Sequence, residues 1–188
     1  NKTQTLKYQV VGGILAFQIF LGRKDPESLV DAYHRDIGKW VVPPFWSMGF
    51  HQSKWGYNTL AVLNKVMQDF EDYKIPFDVI WSDIDYMVDY LTFTVDTSRF
   101  PAQEFKGNLT KFGKRWVPIV DAGIGTKNRS ENIAYERGRQ MDIFLKRKNG
   151  DYYQGSVWPG VTVFPDFFHP AAAEFWSDML GELDKKMP

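Results

Sequence analysis

The stretch IPFDVIWSDIDYM, residues 75–87, decides how this chain is built. Pro76 ends any helix that precedes it. Phe77, Val79, Ile80 and Trp81 follow as a short apolar run, the pattern of a strand covered on both faces, and the run finishes in Ser82, Asp83 and Asp85. Upstream, Leu60, Leu63, Val66, Met67 and Phe70 recur at helical spacing, so a helix is predicted from a cap at Asn58 to about Tyr73. Before it, Pro43-Pro44 interrupts the chain. Residues 45–50 read as another buried strand, and 51–57 as a polar-aromatic loop. Downstream lie a long loop to Pro101, a helix near 102–113 and a third strand at 116–120 that ends in Asp121. Strands alternating with helices imply a parallel sheet, hence an α/β fold.

The flanks are less regular. Residues 5–21 read as two strands around a Gly12-Gly13 turn. Asp25-Pro26 opens a helix whose apolar stripe is Leu29, Val30, Tyr33 and Ile37, and Gly38 ends it. Residues 125–165 read as irregular apart from a short strand at 141–146. A last helix at 171–185 is expected to turn Phe175, Trp176, Met179, Leu180 and Leu183 inward.

Composition narrows the function. The 188 residues carry 23 Lys+Arg against 23 Asp+Glu, so there is no electrostatic footprint for nucleic acid. There is no cysteine, which excludes disulfides, thiolate catalysis and cysteine zinc sites. His34, His51 and His169 are too far apart in sequence to suggest a metal cluster. The apolar stretch from Val10 to Leu21 is broken by Gly12-Gly13 and Gln18 and is too short to span a bilayer. The chain does not start with Met and is expected to begin inside a longer precursor.

Each strand end carries polar residues: His51, then Asp83 and Asp85, then Asp121. In β/α barrels and doubly wound sheets these ends face the ligand. An Asp at such a junction also caps the helix that follows; that plainer reading weighs less for Asp83 and Asp121, with no helix expected directly after either. Neither G-x-G-x-x-G nor a Walker loop occurs, so a nucleotide site lacks support. With 15 Phe, 9 Tyr and 7 Trp, carboxylates beside aromatic rings fit carbohydrate better. Carboxylates accept from vicinal hydroxyls, and ring faces cover the apolar face of a sugar.

Five motifs in order resemble glycoside hydrolase family 31, the α-glucosidases of the maltase-glucoamylase, sucrase-isomaltase and lysosomal acid α-glucosidase group. They are PPFWSMGFHQSKWGY (43–57), IPFDVIWSDIDYM (75–87), FTVDTSRFP (93–101), VPIVDAGI (117–124) and VWPGVTVFPDFFHPAA (157–172). The segment GGILAFQIFLGRKDPESLVDAYHRDIG ahead of them also looks like the family's approach to its barrel. The resemblance implies the first three βα units of a (β/α)8 TIM barrel, preceded by the end of a β-sandwich. Residues 1–22 would be the sandwich tail, 23–39 a connecting helix, and 40–188 the early barrel with an insert at about 125–165.

It also implies a retaining exo-acting enzyme that removes terminal α-linked glucose and needs no metal or organic cofactor. The family nucleophile sits in a W-x-D-M-N-E motif that this sequence lacks, so no catalytic residue is assigned in this chain, and the rest of the enzyme is its expected partner. What carries over is substrate binding. Asp83 matches the Asp that holds the terminal sugar, Ile84, Ile124, Trp55 and Trp158 match residues lining that subsite, and Asp121 looks like a support behind it. Each of the four apolar residues also has a plain core reading. His51 is expected to hold a loop, and Asp85 to point elsewhere. Lys54, Ser53, Ala122-Gly123 and Thr92 depart from the family pattern. The alternative is a non-catalytic carbohydrate-binding or regulatory piece. Sequons at Asn1, Asn108 and Asn128, in segments expected at the surface, fit a secretory, lysosomal or extracellular glycoprotein.

Overall fold

In the computed structural model the side chain of Asp25 accepts from the Ser28 amide at 2.7 Å, and Pro26 occupies the first turn of α1 (Pro26–Ile37). Both are start signals of a helix, and Gly38 at φ 88 ends it as expected. The structure describes residues 4–21, 25–127 and 130–187. It divides into two units, residues 1–42 and 43–188, each taken here by itself. In the first unit, residues 5–21 do not form the two expected strands. The rings of Tyr8 and Phe17 meet edge-on at 5.3 Å and Gly13 turns at φ 101, yet no ladder of paired residues forms. Both faces of the segment are exposed, and a lone two-stranded hairpin is marginal in water. Of the expected tail at 1–22, residues 1–3 and Gly22 lie outside the described residues, as do Arg23 and Lys24. The stripe on α1 stays uncovered, with Val30, Tyr33 and Ile37 exposed.

The second unit holds a parallel sheet of three strands, β1 (His51–Gln52), β2 (Val79–Ser82) and β3 (Arg115–Pro118), in that spatial order. His51 pairs with Val79, and Val79 with Arg115. Helix α2 (Leu60–Asp72) joins the first two strands and α3 (Ala102–Phe112) the next two. Leu63 and Met67 of α2 and Phe105 of α3 are buried in one core with Phe77 and Ile80. The cap of α2 is Thr59 and not Asn58: the Thr59 hydroxyl accepts from the Val62 amide at 3.3 Å. Gly113, at φ 63, closes α3.

The expected strand at 45–50 is displaced. Phe45–Met48 is a single 3-10 turn, because the amide and hydroxyl of Ser47 both bond back to the Pro44 carbonyl, at 2.9 and 2.7 Å. Phe45 is 88% exposed, so this run is no buried strand, and pairing begins only at His51.

After β3 comes a second, antiparallel sheet of β4 (Ile124–Gly125), β5 (Gln154–Val157) and β6 (Gly160–Val163), ordered β4-β6-β5. The expectation of irregular chain at 125–165 thus misses a hairpin and also α4 (Ile133–Gln140). The strand expected at 141–146 is reduced to isolated bridges, Phe144 to Pro165 and Lys146 to Tyr152. Gly138 lets α4 sit directly on the Phe144 ring, where any Cβ would overlap the ring. Helix α5 (Ala172–Asp184) buries Phe175, Met179 and Leu183 as expected, but Leu180 is 41% exposed.

Candidate functional site

Asp83 leaves the end of β2 and is followed at once by a 3-10 turn over Ile84–Tyr86. One carboxylate oxygen, Oδ1, accepts from the Ile84 amide at 2.7 Å. The expectation that no helix starts after Asp83 is therefore corrected: the residue caps a short one. Its Oδ2 accepts from no donor among the described residues. That oxygen belongs to a side chain lining a pocket of about 380 Å³ with Trp55, Ile84, Tyr90 and Trp158. The volume lies at the small end of ligand pockets, which span about 300–1,000 Å³.

Each wall has its own support. Trp55 is 65% exposed on the loop after β1, and the Gly56 amide beside it donates to Asp85 Oδ2 at 2.9 Å. Asp85 is 5% exposed and does not line the pocket. It points elsewhere, as expected, but what it touches is the backbone that presents Trp55. Trp158 is 61% exposed at the tip of the β5–β6 hairpin. Two tryptophans this accessible beside one carboxylate are a stronger signal than either alone.

Tyr90 is the residue that sequence reading missed. Asp89 (φ 47) and Tyr90 (φ 62) are the central pair of a turn in which the Leu91 amide donates to the Val88 carbonyl at 2.9 Å. Two positive φ values define a type I′ turn, usually Asn-Gly or Asp-Gly. Left-handed backbone costs a non-glycine residue roughly 1–2 kcal/mol. The only sequence signal is Asp89, a common turn former, set between apolar neighbours.

Ile124 and Asp121 do not reach the pocket. Ile124 is fully buried in β4, paired with Val163, so its core reading holds. The Asp121 side chain accepts from the Gly123 amide at 2.8 Å, and its own amide donates to the Thr92 hydroxyl at 3.3 Å. It braces the turn into β4. Gly123 there allows close packing, since a Cβ would stand 2.9 Å from Val157. Ile84, 4% exposed, serves both core and pocket floor. His51 holds a loop, as expected: Nδ1 accepts from the Trp81 indole at 2.9 Å, leaving Nε2 to donate to the Ser47 carbonyl at 3.1 Å. Burial pushes the Tyr86 hydroxyl above its ordinary pKa, and it donates to the Ile119 carbonyl at 2.8 Å. Among the described residues no group of three His, Asp or Glu side chains is placed to hold a metal ion.

A sequence profile of the glycosyl hydrolases family 31 TIM-barrel domain matches residues 40–188. The chain belongs to glycoside hydrolase family 31. Lysosomal acid alpha-glucosidase of Tetrahymena pyriformis is 43% identical over 98% of this family 31 chain and 20% of that protein. A probable alpha-glucosidase of Oryza sativa subsp. japonica is 41% identical over 96% of this chain and 20% of its own length. The chain thus spans about a fifth of the curated relatives it matches. A glucosidase II alpha subunit with DNJ bound superposes with a TM-score of 0.77 at 28% identity, covering 87% of this chain and 18% of that one. The family 31 alpha-glucosidase of Bacteroides thetaiotaomicron gives 0.72 at 28% identity, over 85% and 28%.

The glycosylation expectations fare unevenly in this family 31 chain. Asn1 and Asn128 lie outside the described residues. Asn108 sits within α3 and is half-buried, and the Thr110 hydroxyl of its sequon donates back to the Lys106 carbonyl at 2.9 Å. The segment expected at the surface is a helix, with Lys106, Gly107 and Thr110 exposed around Asn108.

Proposed function

We propose that this chain supplies the terminal-sugar site of a retaining exo-acting α-glucosidase, which hydrolyses terminal α-linked glucose from oligosaccharides. The observation that carries the reading is Asp83: one carboxylate oxygen fixed by the Ile84 amide, the other without a donor among the described residues, on a pocket walled by Trp55 and Trp158. A carboxylate held this way accepts from a sugar hydroxyl, and indole faces cover the C–H side of the ring. The W-x-D-M-N-E motif does not occur within residues 1–188. The reading therefore places the attacking carboxylate and the acid/base carboxylate in other parts of the protein. Asp83 fixes the sugar and contributes binding that strengthens as the ring flattens. The family 31 relatives, one of them named lysosomal, support a secretory route; a mass shift after glycosidase treatment of the native protein tests it.

Asp83→Asn in the protein that carries this chain tests the site. Asparagine caps as well as aspartate, so the turn at Ile84 and the Tm are retained. The loss is a charge-assisted hydrogen bond of about 1.5–3 kcal/mol, so kcat/KM falls by about tenfold to two hundredfold. Asp83→Ala loses the cap too, and its Tm drops as well. Unchanged kcat/KM in Asp83→Asn would remove Asp83 from the site.

A further inference from the structure

The turn beneath Tyr90 stands on a well-bonded base. The Thr94 hydroxyl accepts from the Val88 amide at 2.9 Å and donates to the Leu91 carbonyl at 2.5 Å. Leu91 and Phe93 are fully buried, and Phe93 meets Trp176 edge-on at 5.1 Å. A turn whose whole task were to reverse the chain would favour glycine where Tyr90 stands, at φ 62. Instead a strained tyrosine sits on a rigid base, 38% exposed, on the same pocket as Asp83. Strain held by well-packed surroundings at a pocket points to a role for the side chain.

Depth in the pocket says which role. Ile84 is nearly buried and Asp83 half-buried, whereas Tyr90, Trp55 and Trp158 are exposed at the mouth. The base under Tyr90 is also tied to the wall that bears Trp158. Leu91 and Pro159 converge on Gly125, where a Cβ would stand 2.5 Å from one and 3.1 Å from the other. The absence of a side chain at Gly125 lets the two aromatic walls share one foundation.

We propose that Tyr90 is a specificity-determining residue whose ring is the platform for the second sugar of an α-linked oligosaccharide, next to the unit that Asp83 holds. The proposal rests on the sugar-site reading above. The experiment uses the whole protein that carries this chain, with maltotriose and glucose as probes. In Tyr90→Gly the maltotriose KM rises about tenfold relative to any change in the glucose inhibition constant, the loss of one covered ring face. The Tm stays level or rises, because glycine relieves the left-handed backbone. Tyr90→Phe keeps the ring and stays within about twofold of the parent in that ratio. An unchanged maltotriose-to-glucose ratio in Tyr90→Gly, with or without a fall in Tm, overturns the proposal and leaves Tyr90 a turn residue. Asp83→Asn, measured beside it, separates the two ideas. If Asp83→Asn weakens glucose while Tyr90→Gly leaves the ratio alone, the platform fails and the sugar site stands. If Asp83→Asn leaves glucose inhibition untouched, the sugar site fails and the platform falls with it.

Discussion

Arg99 is the residue that ties the loops behind the pocket together. Its guanidinium donates to Asp96 Oδ2 at 2.7 Å, to the Asn58 carbonyl at 3.1 Å and to the Met87 carbonyl at 2.9 Å. Partial burial pushes the Asp96 carboxyl up, but hydrogen bonds from Ser98 and Arg99 outweigh it and hold the group at about 2, against an ordinary 3.8. A depressed carboxylate stabilises the fold above its unfolded pKa and loses that contribution as pH falls through about 4 towards 2. With solvent screening of a side chain still 25% exposed, the contribution is ~1–2 kcal/mol. Urea unfolding checks this: Asp96→Asn is less stable than the parent by that amount at pH 6, and the gap narrows at pH 3. Individual residues differ in how plainly the sequence announces them. Asp83 and the two tryptophans stand out by type and position at a strand end. Tyr90 does not, because its placement depends on a backbone φ that no side-chain pattern encodes. Ile124 misleads, because its match to a pocket residue says nothing of how completely β6 covers it.

Among the elements, α4 packs by leaving something out. Alanine is the better helix former by about 1 kcal/mol, so Gly138→Ala ought to stabilise an isolated helix. Here the new methyl overlaps the Phe144 ring, and Phe144 is 2% exposed, wedged against Tyr135, Tyr152 and Phe175. Overpacking of a filled core costs roughly 1–3 kcal/mol, so the clash outweighs the propensity and Gly138→Ala lowers Tm. A raised Tm would mean that Phe144 has room to move. The same economy hid this element from sequence reading: IAYERGRQ buries only Ala134 and Gly138, too little for a visible apolar stripe. The β5–β6 hairpin is hidden because Trp158-Pro159 reads as loop chemistry. By contrast α2 and α5 announce themselves, since each sets three large or medium apolar residues on one face.

At the scale of the molecule, residues 1–188 taken alone are expected to show no turnover of a chromogenic α-glucoside, since the W-x-D-M-N-E motif does not occur within them. Turnover by a preparation free of other glycosidases would move the chemistry into this chain. The parallel sheet also sets a clock on how the chain acquires its shape during synthesis. His51 must find Val79, which follows nearly thirty residues later, and Val79 must in turn find Arg115. At about 5–20 residues per second, the first of these partners trails by roughly 1.5–6 s. The β5–β6 hairpin, with its two-residue tip, closes in about 1–10 µs once both arms are out. For those seconds the growing chain carries β1 unpaired behind exposed Phe45 and Trp46, so the nascent polypeptide is most adhesive well before Asp83 has a pocket to stand in.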